Sequence, residues 1–366
     1  MHRRSDMLMG DRELETLRRH GFGVAYRMLG SVSEAEDVAQ ETLLRFTRQE
    51  GAIDEPAAWI TTVATRLSIN VLRSARARRE AYVGPWLPEP LLEDPEPGPA
   101  ARAELADSLS LALLMLLERL NPVERAAYLL REVFGYEYAQ LAAVIERTEA
   151  NARQLVTRAR KHIEASRPRF DADEATRDTL LDRFLAAAEE GDLAALEELL
   201  AKDAVLYADS GGKAMAPPQP LVGAALIASF MAAVAQVRPL SGEFETRRVR
   251  VNGQPGRLLR GPDEPQPGEA ERRAAAGEMA RVASGEVDPQ QLAALVRRAR
   301  EAAAAREAAA GRQAAAAREA AAGRAAGTVP AQQAESRVWS VLTVDVVDGR
   351  IQAVRIVRNP DKLAHL

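Results

Sequence analysis

The sequence predicts a multidomain chain: two all-α domains, the second built on a helix-turn-helix, then an α+β cone carrying a low-complexity Ala/Arg/Glu-rich insertion. Three observations lead there. Asn121 to Ile163 has the spacing of two helices, a tight turn and a strongly basic helix. Tyr82 to Pro99, YVGPWLPEPLLEDPEPGP, is too rich in proline for regular helix and divides the helical part in two. Past residue 174, helical spacing alternates with strand patterns, with Asp348-Gly349 as a hairpin signal between two of them.

Composition bounds what such a chain can do. At 366 residues it exceeds one small core, and the net charge of −4 is mild, so local charge matters more than the total. Residues 147–169 hold seven basic side chains against two acidic ones, and residues 66–79 hold five arginines and no acid. Two basic patches imply two nucleic-acid contacts. There is no cysteine, which excludes disulfides and thiolate metal sites, and the four histidines are too scattered for a zinc site, so neither a metal nor a cofactor is expected. The longest apolar runs are shorter than a bilayer span and no secretory leader opens the chain, which predicts a soluble, cytoplasmic protein without membrane contact.

The first domain is expected over 11–83. A helix from Glu13 to Leu29 stops at Gly30, and Ser31 or Ser33 caps the next, SEAEDVAQETLLRF. On that helix Val38, Thr42, Leu43, Leu44 and Phe46 can face a core, leaving Glu36, Asp37, Gln40, Glu41 and Arg45 outward, a face able to dock a basic partner. From Pro56 to Glu80, Trp59 is followed by Thr61, Thr62, Thr65, Ser68, Asn70 and the arginine cluster. Short polar side chains beside an aromatic ring and cations suit single-stranded DNA. The connector, 84–100, carries Trp86, Leu87, Leu91 and Leu92, so part of it is expected to dock on a domain.

The second domain is expected over 101–167. Asn121 caps a helix with Pro122 at its first position, Tyr136 to Ile145 forms the next, and Glu146 to Thr148 turns into a helix with Leu155, Ala159 and Ile163 on one face. In a helix-turn-helix the second helix enters the major groove. Glu149, Asn151, Arg153 and Gln154 then reach base edges, while Arg158, Arg160 and Lys161 suit phosphates.

These segments resemble, in order, the parts of a bacterial sigma-70 factor of the extracytoplasmic-function (ECF) class. SEAEDVAQETLLRF resembles its core-polymerase-binding segment, WITTVATRLSINVLRSARARR its segment that melts and reads the −10 promoter element, and Asn121 to Ile163 its −35-reading domain. The resemblance implies contacts of Glu36, Asp37, Gln40, Glu41 and Leu44 with the β′ clamp helices of core RNA polymerase. It implies −10 contacts by Trp59, Thr62, Arg66, Asn70, Arg73 and Arg76, and −35 contacts by Asn151, Arg153, Gln154, Arg158 and Lys161.

The C-terminal part, 174–366, begins with helices at Thr176 to Glu190 and Asp192 to Lys202 around a Gly191 stop. A strand-like AVLYADSGG, an apolar helix at Leu221 to Val237, and strands within Glu243 to Leu259 and Arg337 to Arg358 follow, and an antiparallel sheet is expected. Residues 261–335 interrupt the sheet at a hairpin tip with a twelve-residue repeat, AAAAREAAAGR, that lacks large apolar groups. WLPEPL at Trp86, Leu87, Pro88, Glu89, Pro90 and Leu91 resembles the linker signature of ECF factors with a fused SnoaL-like (NTF2-like) domain. Asp209-Ser210-Gly211-Gly212-Lys213 resembles their DGGGK motif, with serine replacing the first glycine, and Asn359, Pro360, Asp361, Lys362 and Leu363 match their NPDKL tail. The resemblance implies a regulatory interface in which these motifs contact the linker and the helical domains, and an apolar pocket open to an unidentified small ligand.

Promoter-directed transcription initiation by a protein that is no enzyme is the expected function. Two alternatives stay open: a ligand-binding or isomerising C-terminal domain, for which only Tyr207, Asp209 and Asp345 offer pocket groups, and a plain helix-turn-helix regulator, which needs neither the acidic helix nor the Trp59 segment.

Overall fold

The computed structural model describes residues 10–80, 82–92, 110–164, 173–214, 216–237, 245–261, 281 and 337–366. The chain divides into two compact units. The first holds residues up to Tyr82, Trp86–Arg169 and the short stretch Val251–Gln254; the second holds Val83–Pro85, Phe170–Arg250 and Pro255–Leu366.

Unit one is helical: α1 (Asp11–Leu29), α2 (Val32–Thr47), α3 (Pro56–Glu80), α4 (Leu111–Leu117), α5 (Pro122–Glu132), α6 (Tyr138–Ile145) and α7 (Glu149–Glu164). Gly30 ends α1 in the left-handed conformation, φ 66°, and Ser31 caps α2 by accepting from the Glu34 amide. Of the two serines expected as the cap, Ser31 is the one used. One apolar cluster runs through both helical groups, joining Val24, Leu29, Val38 and Leu72 to Leu117, Leu129, Leu141 and Val156. The second helix predicted from Tyr136 begins later, at Tyr138, because Glu137 is its N-cap and Gln140 closes a capping box.

Unit two is α+β: α8 (Glu174–Glu190), α9 (Leu193–Leu199), β1 (Leu200–Asp209), β2 (Leu221–Val222), α10 (Ala224–Val237), β3 (Glu245–Val251), β4 (Gln254–Gly261), β5 (Arg337–Val347), β6 (Arg350–Val357) and α11 (Pro360–Leu363). The strand order is β2-β1-β6-β5-β4-β3. Three expectations are corrected here. The sheet is mixed, because β1 and β6 pair in parallel. The helix expected to reach Lys202 stops at Leu199, where Leu200 turns extended and buries its side chain under the helices. The single strand region expected over Glu243 to Leu259 is a hairpin, split by Asn252-Gly253 with φ 51° and 78°, both left-handed. Asp348 and Gly349 make the second such turn, as predicted. Phe184, Leu196, Leu206, Ile227, Val344 and Val354 fill the space between α8–α10 and one sheet face. β4 and β5 pair with Gly261 opposite Arg337, so the chain leaves and re-enters the sheet at one hairpin end. The repeat-bearing insertion between them lies outside the described residues, Arg281 apart.

Candidate nucleic-acid and polymerase interfaces

α5, α6 and α7 build the candidate duplex-reading element. The Asn121 side-chain oxygen accepts from the amides of Val123 and Glu124 at 3.1 and 2.9 Å and starts α5. α6 ends on Glu146 at φ 56°, where the Arg147 amide donates to the Ala142 carbonyl at 2.9 Å. The Thr148 hydroxyl then accepts from the Asn151 amide, so the turn is closed from both sides. α7 buries Ala152, Leu155, Val156, Ala159 and Ile163, and this apolar stripe leaves Arg153, Gln154, Arg158, Arg160 and Lys161 exposed, with Asn151 half-buried.

The cations of α7 fall into two kinds. Arg158 donates to Glu124 at 3.1 Å and Arg160 to Glu132 at 2.6 Å, which ties α7 to α5; the ion pair with Glu132 raises the Arg160 pKa. Arg153 pairs instead with Glu149 on its own helix and lies 4.3 Å from the centre of the Tyr138 ring. Sequence reading named neither contact: the Glu149 pair follows the i,i+4 spacing of one helix, whereas the Tyr138 contact joins two helices.

On α3, Trp59 is half-buried and meets Phe46 of α2 edge to face at 5.6 Å, while Asn70 and Arg73 are exposed. The Thr62 hydroxyl donates to the Ala58 carbonyl at 2.9 Å. Thr61, Thr65 and Ser68, read as part of a polar strand-binding surface, are buried: the helix turns them inward, and Ser68 satisfies its hydroxyl on the Ala64 carbonyl at 2.8 Å. Thr61 meets the His20 ring at 2.7 Å. Arg66 donates to the carbonyls of Val144 and Ala143, both at 2.9 Å, and lies 3.4 Å from Glu146, capping the C-terminal end of α6. The Arg76 side chain lies outside the described residues.

The outward face of α2 is as expected at Asp37, Gln40 and Glu41, with Glu36 paired to Arg18 at 2.8 Å and Glu41 to Arg45 at 2.8 Å. Leu44 departs from the core-facing reading. Thr42, Val38 and Ala35 hold the buried stripe, which leaves Leu44 on the opposite side, 48% exposed.

The linker is docked, not free. Leu87, Pro88 and Pro90 are buried in unit one, and Trp86 lies over Gly30. The Glu89 carboxylate accepts from the Ser31 hydroxyl at 2.9 Å and from the Val32 amide, placing a negative charge on the N-terminus of α2. Fully buried Tyr26 donates its hydroxyl to the Glu89 carbonyl at 2.6 Å and accepts from Asn252 Nδ2 at 2.7 Å. Asn252 also exchanges two hydrogen bonds with the Leu91 backbone, at 2.8 and 3.0 Å. Sequence reading passed over both residues, although Asn252-Gly253 is itself a turn signal.

In unit two the DSGGK and NPDKL motifs meet each other. Lys362 donates to the Asp209 carboxylate at 2.7 Å with both groups buried, Lys213 pairs with Asp361, and the amides of Arg358 and Asn359 donate to the Asp209 carbonyl at 2.7 and 2.9 Å. The Asn359 side chain caps α11 by accepting from the Asp361 amide, Pro360 holds its first position, and Leu363 is buried. Among the described residues, a side chain at Gly212 would come to 3.2 Å from Val83, the residue just before the connector. Gly211 and Gly212 take φ 57° and 72°, whereas Ser210 stays out of the left-handed region and so replaces glycine without strain. Asp345, read as a pocket group, is buried in an ion pair with Arg355. Among the described residues no acidic or histidine cluster can hold a metal, and no helix is long and apolar enough to cross a membrane.

Comparison with known proteins places names on these parts. Residues 14–78 match Sigma-70 region 2, and residues 110–163 match Sigma-70, region 4. The chain is 37% identical over 252 residues to the ECF RNA polymerase sigma factor SigJ of Mycobacterium tuberculosis, 68% of this chain and 80% of that one. It is 36% identical over 185 residues to the probable ECF sigma factor SigI of the same species, 48% of this chain and 62% of that relative. The crystal structure of SigJ superposes with a TM-score of 0.63 at 28% identity, covering 97% of this chain and 98% of that one. Region 2 falls on α1–α3 and region 4 on α4–α7. The chain thus belongs to the extracytoplasmic-function class of sigma-70 factors, which direct RNA polymerase to specific promoters and initiate transcription.

Proposed function

We propose that three separate faces divide the work of initiation. The α2 face of Glu36, Asp37, Gln40, Glu41 and Leu44 docks on the β′ clamp helices of core polymerase, where an exposed leucine amid acids fits a basic partner with an apolar centre. Trp59, Thr62, Arg66, Asn70, Arg73 and Arg76 engage the −10 element, and Asn151, Arg153, Gln154, Arg158 and Lys161 the −35 element. Transcription places the protein in the cytoplasm. The observation that carries the assignment is α7: its buried stripe commits Arg153 and Gln154 to solvent at the start of the second helix of a helix-turn-helix, where such helices read bases.

Unit two, in our reading, is a SnoaL-like domain that controls activity in cis, with an unidentified small ligand as a further partner. The linker supports this. Val83 lies against the DSGGK turn, while Trp86 and Glu89, a few residues on, hold the end of α1 and the start of α2. A shift in the DSGGK–NPDKL cluster would therefore pull on the N-terminus of the polymerase-binding helix, biasing an equilibrium between competent and incompetent forms. Run-off transcription with core polymerase tests both halves. Arg153→Glu should abolish promoter-specific initiation and leave core binding intact; equal loss of both refutes the −35 assignment. Lys362→Met should change the initiation rate without touching the DNA-reading helices, and an unchanged rate with an intact fold refutes control in cis.

A further inference from the structure

We propose that Tyr138 is a positioning residue for promoter reading: its ring holds the Arg153 guanidinium in place before DNA arrives. The inference rests on the reading of Arg153 as a base contact and adds a residue that touches no base. Tyr138 is the first residue of α6, at the junction of three elements. Arg131, near the end of α5, lies 4.7 Å from the ring centre, and Arg153, one turn into α7, lies 4.3 Å from it. Both are within the reach of cation–π attraction. Arg131 is itself anchored, donating to the Tyr136 carbonyl at 2.8 Å and lying 3.3 Å from Glu137, so the ring is held by a guanidinium with two partners of its own. The ring also meets Arg153, whose second restraint is the ion pair with Glu149 one turn back.

The physical need for such a brace follows from exposure. The Arg153 side chain is 57% exposed, and an exposed arginine samples many rotamers that it must give up on forming a two-pronged contact with a base. A ring below the guanidinium and a carboxylate beside it remove most of that freedom in the free protein, so less is lost on binding. The Glu149 pair is solvent-exposed and exchanges easily for a base edge. Of the two partners of Arg153, Tyr138 is the uncharged one, so its hold does not compete with phosphate or base acceptors.

The experiment uses the full-length chain bound to core polymerase. A preferred duplex is selected from a randomised pool, and affinities for it and its single-base variants are measured for wild type, Arg153→Gln, Tyr138→Leu, Tyr138→Phe and the double variant Tyr138→Leu/Arg153→Gln. Tyr138→Leu should weaken the preferred duplex by about three- to tenfold. That loss should fall at the base pair whose discrimination Arg153→Gln abolishes; Tyr138→Phe should bind as wild type, and the double variant should lose no more than Arg153→Gln. Pentafluorophenylalanine at 138, which keeps the ring's shape but reverses its electrostatics, should act like leucine even if Tyr138→Leu does not fold. Uniform weakening on every duplex, or wild-type discrimination with the fluorinated ring, overturns the positioning role alone. Unchanged base preference in Arg153→Gln overturns the −35 reading beneath it as well.

Discussion

Gly30 shows how much can rest on one missing side chain. Its φ of 66° lies where a Cβ is strained, and a Cβ built there would stand 2.8 Å from the Trp86 ring. Gly30→Ala is therefore expected to cost about 2 kcal/mol by combining backbone strain with loss of the linker's seat, measured by chemical denaturation. Tyr26 is a comparable case in hydrogen bonding. Burial pushes its hydroxyl pKa well up, so it serves as a neutral donor and acceptor. Tyr26→Phe should leave the Glu89 carbonyl and Asn252 without their partner and cost about 1–3 kcal/mol in the same measurement. His20 supplies the pH dependence. Burial holds its pKa below the usual 6.5, assisted by the Arg27 charge and opposed by a backbone hydrogen bond involving Ala57. The unfolded chain then takes up the proton first, so this stabilisation is complete above about pH 6.5 and is lost as pH falls through the folded value. Replacing His20 with Gln should flatten the fall in stability between about pH 7 and pH 5; an unchanged slope would assign that fall to other groups.

Among the elements, α2 and α3 were read with different success. The acidic outward face of α2 followed from helical spacing, because charged side chains avoid a core whatever the neighbours are. Leu44 did not follow, since a leucine beside the buried stripe satisfies the pattern on either side, and only the packing of α1 and α3 decides which. Its exposure gives a sharp prediction: Leu44→Arg should leave the helical content and melting temperature within error of wild type while abolishing co-purification with core polymerase. On α3 the threonines and Ser68 invited a surface reading, yet each can donate to a carbonyl one turn back and so enter a core at little cost. In unit two the expected helix ran past Leu199 because Ala201 and Lys202 are good helix formers; pairing with β6 overrode that preference.

At the level of the molecule, several cations of the basic segments find partners within unit one: Arg158 and Arg160 the acids of α5, and Arg66 the carbonyls of α6. On the proposed −10 contact, Arg66 would exchange these carbonyls for DNA. Arg66→Ala should lower the stability of the free chain by about 1 kcal/mol, seen as a shift in the denaturation midpoint. Unit one also depends on a distant stretch of chain, since Asn252 completes the Tyr26 and Leu91 hydrogen bonds. A chain ending at Arg169 should therefore melt below the full-length protein, and Asn252→Ala in the full chain should reproduce part of that drop. Equal melting temperatures would show that Asn252 contributes nothing to unit one.

Taken by itself, the sequence determined the order of the parts: three helices, a docked proline linker, a helix-turn-helix with a basic second helix, and an α+β domain broken by a repeat. Caps, prolines, glycines and residue spacing act within a turn or two, so they are legible from the residues alone. Only the tertiary structure decided that Leu44 faces out, that β1 and β6 run parallel, that DSGGK and NPDKL lock onto each other through Asp209 and Lys362, and that Tyr138 sits beneath Arg153. Each of those depends on groups brought together from distant helices, strands or loops, and the free energy of burying a charge or a ring is set by whichever partner the fold supplies there.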